Sequence, residues 1–161
     1  MKKLLVMAAI LVAGIAANAA SFKWAGANIY GADGTTKFSG DVTIYGYLST
    51  KTVADAVSVT TVSVASGVLN ATYNWTDATV GETYNFYMVF EDGGKKFDSS
   101  ASTPTVIKSG VAYESQTATV AFSNMATATQ AASSWAAVPE PTSGLLMLLG
   151  LAGLALKRKR A

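Results

Sequence analysis

The sequence predicts an all-β fold, a single small sandwich-like or open-barrel domain of about seven to nine short strands. Three observations predict it. Apolar and polar residues alternate in several separate runs, which is the period of a strand. Turn-forming Gly, Asp, Ser and Pro recur between those runs, roughly every 10 to 15 residues. Long helical stripes are missing, and Gly, Thr, Ser, Asn and Ala dominate the middle of the chain with Val, Tyr, Phe and Trp between them.

Residues 1–19 read as a secretory signal. Lys2 and Lys3 form a short positive region, residues 4–17 an apolar core, and Ala17-Asn18-Ala19 meets the small-residue rule of signal peptidase. Cleavage is expected after Ala19, with Ala20 as second choice; an uncleaved anchor is the alternative, disfavoured because the run is short for a membrane span.

An all-β ectodomain is expected over residues 20–123. "DVTIYGYLS" turns Val42, Ile44 and Leu48 to one face and Thr43, Tyr45 and Tyr47 to the other. "AVSVTTVSVAS" changes phase, with Val57 and Val59 odd and Val62 and Val64 even. A bulge or a switch of sheet is expected at Thr60-Thr61. "LNATYNW" groups Leu69, Ala71, Tyr73 and Trp75. "TYNFYMVFE" is the strongest run: Tyr84, Phe86, Met88 and Phe90 share one face, and Asn85, Tyr87 and Val89 the other. With neither face fully polar, it predicts a central strand, and the Trp75 face is expected to meet the Phe86 and Phe90 face in the core. Asp92-Gly93-Gly94 supplies the positive φ values of a tight hairpin. "QTATVAF" sends Ala118, Val120 and Phe122 inward. "SNMATATQAASSWAAV" lacks turn glycine and alternation, so residues 124–137 read as an irregular strand passing into a flexible linker.

The tail has its own grammar. Val138 leads into Pro139-Glu140-Pro141, then an apolar run, then Lys157-Arg158-Lys159-Arg160. The prolines exclude helix and sheet and leave Glu140 extended and accessible, the conformation a protease needs. Thr142 or Ser143 caps the helix that follows. A helix over residues 142–156 measures about 22 Å, short of a bilayer core of about 30 Å, and snorkelling Lys157 and Arg158 extend it. The four basic residues favour the cytoplasmic side and stop translocation, so the domain stands outside.

These last residues, 138–161, resemble the PEP-CTERM sorting signal of Gram-negative bacteria. The resemblance implies recognition by an exosortase, a membrane-embedded enzyme, after brief residence in the inner membrane, and then release or transfer to the cell surface or extracellular matrix. It also implies an association with exopolysaccharide and biofilm. A permanent C-terminal anchor on a structural envelope protein is the alternative. The ectodomain resembles no named family.

Charge and chemistry bound the ectodomain's activity. Residues 20–138 carry six Lys and no Arg against nine Asp and Glu, a net of about −3. Such a domain does not attract nucleic acid by counterion release. Without Cys or His, disulfides, Ser-His-Asp and Cys-His sites and the usual zinc sites cannot be built. A carboxylate pair, as in a secreted carbohydrate-active hydrolase, is the remaining catalytic route, but Asp33, Asp41, Asp55, Asp77, Glu82, Glu91, Asp92, Asp98 and Glu114 fall mostly in turns and strand ends. Glu91, Asp92 and Asp98 lack the spacing of a calcium loop, and the triplets at Asn70 and Asn74 reflect strand composition. No cofactor, metal or catalytic residue is therefore expected. Trp24, Trp75, Trp135 and the tyrosines admit a sugar-stacking reading against a core-packing one. Tyr45, Tyr47 and Tyr87, opposite the more apolar faces, are the candidate carbohydrate contacts of a non-catalytic surface protein.

Overall fold

Alternation along the chain becomes two facing sheets. The computed structural model describes residues 19–138; the signal segment up to Asn18, the Pro139-Glu140-Pro141 element, the helix expected over 142–156 and the basic cluster lie outside them. One sheet orders β4 (Leu69–Trp75), β1 (Ala20–Gly26) and β8 (Thr117–Phe122), with β1 antiparallel to β4 and parallel to β8. The other runs β3 (Val57–Val64), β2 (Gly40–Leu48), β5 (Thr83–Asp92), β6 (Lys95–Asp98) and β9 (Trp135–Ala137). A further strand, β7 (Lys108–Val111), pairs with the first half of β5, while β6 pairs with its second half. The expected central strand is thus β5, flanked on both edges.

The β3 phase change is a bulge. Ile44 faces Thr60 whereas Tyr45 faces Ser58, which leaves Val59 as the extra residue, just before the expected Thr60-Thr61. The extra residue restores the inward face, so Val59 and Val64 are both buried despite opposite parity. The β5–β6 turn is the expected tight hairpin, with Gly93 at φ 55° and Gly94 at φ 73°.

Two aromatic clusters fill the space between the sheets. In the first, Phe86 meets Phe22 edge-on at 4.8 Å, Trp24 at 5.7 Å and Trp75 at 6.0 Å, and Tyr84 meets Trp75 at 4.8 Å. The expected meeting of the Trp75 and Phe86 faces is here. Gly46 makes room for it, since a Cβ there would lie 2.9 Å from Val59 and 3.0 Å from both Phe86 and Trp75. Phe90 belongs to the second cluster, against Phe38 at 4.4 Å, Phe97 at 5.0 Å and Trp135 at 5.5 Å. All three tryptophans are buried, Trp24 at 0%, Trp75 at 5% and Trp135 at 9% exposure, so they pack the core and offer no sugar platform.

Residues 124–137 are corrected from linker to fold. They form the short helix α1 (Met125–Gln130), a 3-10 turn over Ala132–Ser134, and β9. Met125, Ala128 and Thr129 are buried. Thr129 Oγ1 donates to the Met125 carbonyl at 2.7 Å and accepts the Tyr30 N–H at 3.0 Å, so this buried hydroxyl is satisfied. Trp135 Nε1 donates to the Thr129 carbonyl at 2.8 Å, and Ser134 Oγ accepts the Thr103 N–H at 2.9 Å. The segment closes the second cluster.

Candidate functional site

The end of the described chain is one candidate. β9 pairs antiparallel with β6, setting Trp135 opposite Phe97, Ala136 opposite Lys96 and Ala137 opposite Lys95. The Val138 N–H then donates to the Gly94 carbonyl in the hairpin turn at 3.1 Å. Pro139 follows at once in the sequence, and a proline has no N–H to donate to a ladder. The described chain therefore ends beside the β5–β6 hairpin, and in the sequence Pro139-Glu140-Pro141 follows Val138 without a spacer. At the other end β1 opens at Ala20, the residue after Ala19.

The tyrosines are the second candidate. Tyr45 and Tyr87 are cross-strand partners on β2 and β5, and their rings stack at 5.2 Å with 13° between planes. Tyr47 leans on Tyr87 at 6.4 Å. The structure brings the three together, but the exposure expected of them is corrected: Tyr47 and Tyr87 are each 7% exposed, and Tyr45 alone is half-buried. Aromatic rings this close shield one another, and Tyr87 sits in the middle of the group. Burial first, and then the Asp98 carboxylate, push the Tyr87 hydroxyl above its ordinary range, with Tyr45 and Tyr47 adding to it. It stays a neutral hydrogen-bonding group. Around the trio the sheet surface is hydroxylic and amidic. Thr43 and Thr61 hydroxyls lie 3.2 Å apart, Ser63 donates to Asp41 at 2.7 Å, and Ser109 donates to Asn85 at 2.6 Å.

Most carboxylates already have local structural partners. Asp33 accepts the Thr36 hydroxyl and the N–H groups of Thr36 and Thr35. The Thr36 hydroxyl, then those amides, lower its pKa to about 2. Asp55 closes a capping box with Thr52, whose N–H and then hydroxyl hold the carboxyl below its usual range. Asp92 accepts the Ala32 N–H at 2.7 Å, and Asp98 accepts the N–H and hydroxyl of Ser100. Among the described residues there is no group of three His, Cys, Asp or Glu placed to hold a metal ion. The opposite sheet presents Asn70, Thr72, Asn74, Thr117 and Thr119 to solvent, with the Thr117 hydroxyl on Ser21 at 3.0 Å. Both asparagines of the sequence triplets are thus on an exposed strand face.

Comparison with known proteins bears on the tail. The PEP-CTERM protein-sorting motif matches residues 137–160. The chain carries that motif, which supports an exported protein that transits the membrane as an exosortase target. The match opens at Ala137, inside β9. No curated protein and no solved structure matches the chain.

Proposed function

We propose that this protein is a non-catalytic component of the cell surface or extracellular matrix that contacts exopolysaccharide, and that it reaches that place by exosortase processing near Pro139-Glu140-Pro141. The matched motif carries the sorting half of this reading. In that half, signal peptidase removes the leader at Ala17-Asn18-Ala19, the apolar run over 142–156 holds the chain in the inner membrane, and Lys157, Arg158, Lys159 and Arg160 keep its end cytoplasmic.

The polysaccharide half is supported by two broad sheet faces rich in hydroxyl and amide groups, which match the hydrogen-bonding pattern of a sugar chain. Tyr45 is the accessible ring on one of them. Tyr47 and Tyr87 serve behind it by fixing its orientation, which lowers the entropy lost on contact.

The test is incubation of the processed protein with the host's own exopolysaccharide. Co-sedimentation without chain cleavage is the expected result, weakened by Tyr45→Ala. Cleavage of the polymer identifies a hydrolase instead, and neither outcome leaves a structural envelope role.

A further inference from the structure

We infer that β9 is a releasable clasp on the sorting motif: residues 136–138 peel from β6 when the sorting enzyme engages, and Trp135 stays behind as the anchor. The inference rests on the exosortase reading above. The matched motif begins at Ala137, which is paired with Lys95, and among the described residues the last bond to the domain runs from Val138 N–H to Gly94, at the residue before Pro139 in the sequence. A protease binds its substrate as an extended strand, making its own main-chain hydrogen bonds on both sides of the cut. On the upstream side those residues already belong to a sheet, with the β5–β6 hairpin standing against them. Peeling residues 136–138 clears that obstruction and adds about 10 Å of free chain at about 3.3 Å per residue.

The clasp is built to give way at one place. Ala136 and Ala137 are exposed, so the ladder holds them with little apolar contact. Trp135 is buried against Phe90 at 5.5 Å and Phe97 at 5.4 Å, with its Nε1 on Thr129. Separation therefore falls between Trp135 and Ala136, and the domain core stays closed during processing.

A crosslink tests this. The Val138–Gly94 bond makes those residues a hydrogen-bonded pair, so the next pair, Ala137 and Lys95, is a non-hydrogen-bonded one with Cα atoms about 4.5 Å apart. That separation lies within the disulfide range of about 4.4–6.8 Å. The chain has no cysteine, so Lys95→Cys with Ala137→Cys in the full chain in its host gives one defined crosslink outside the cytoplasm, confirmed by mass. The expected result is at least a roughly tenfold accumulation of the unprocessed form, reversed by reductant. An eight-residue Gly-Ser insert between Val138 and Pro139 should restore processing of the crosslinked chain. Processing of the crosslinked chain at the parental rate overturns the inference alone and means that the enzyme accepts β9 in place. Failure of the spacer to restore processing also overturns it. A parental chain that is never processed overturns the sorting reading together with this one.

Discussion

The two aromatic clusters are built from similar rings but closed in different ways. Phe22, Trp24, Trp75, Tyr84 and Phe86 come from β1, β4 and β5, so both sheets hold the first cluster. The second, with Phe38, Phe90 and Phe97, takes its remaining wall from Trp135 on a three-residue strand. The difference teaches where stability and processing meet. The first cluster can open only with the whole sandwich. The second is closed by the segment that leads straight into the sorting motif.

Truncation separates the two clusters. Phe86→Ala removes the ring common to four aromatic contacts in the first cluster, and a loss of about 4–5 kcal/mol is expected. Against a total of about 5–15 kcal/mol for a domain, urea unfolding should shift drastically and involve all strands together. Trp135→Ala should cost about 3 kcal/mol, and its signature is local. Amide exchange should accelerate first over residues 125–138 and the β5–β6 hairpin, with β1, β2 and β8 still protected. Equal loss of protection everywhere would show that the clusters act as one unit.

Smaller changes sharpen the same contrast. Gly46→Ala places a methyl group 2.9–3.0 Å from Val59, Phe86 and Trp75, and overpacking of about 1–3 kcal/mol is expected in a urea titration. The smallest effect concerns acid. Asp33 sits in the exposed loop beside α1, with its pKa lowered from 3.8 to about 2. A depressed folded pKa gives stability that is fully present above 3.8 and lost as pH falls through about 2. NMR titration should find Asp33 protonating near the bottom of the carboxylate range, and Thr36→Val should move it upward.

The legible part of the fold was the part made by strand period. β2, β5 and β8 follow from alternation because each has one face on the core, and Asp92-Gly93-Gly94 follows from the φ values that only such residues adopt easily. The bulge was visible as a change of valine parity. Residues 124–137 were hidden because α1 has six residues of Met, Ala, Thr and Gln, too short for an apolar stripe, and because β9 is recruited by Trp135 and not by a pattern. Tyr47 and Tyr87 lie opposite the core face of their strands, yet are buried by cross-strand neighbours, which one strand's sequence does not reveal. The tail was legible because its order of prolines, apolar run and basic cluster is linear and needs no fold.

The central claim is that this β-sandwich is delivered outside the cytoplasm and cut free near the point where β9 ends. Mass spectrometry of the mature surface protein from its native host tests it most directly. The predicted main species begins at Ala20 and ends near Pro139-Glu140-Pro141, with Trp135 retained. An intact C-terminus through Ala161 as the main species would contradict the account and establish a permanent anchor in its place.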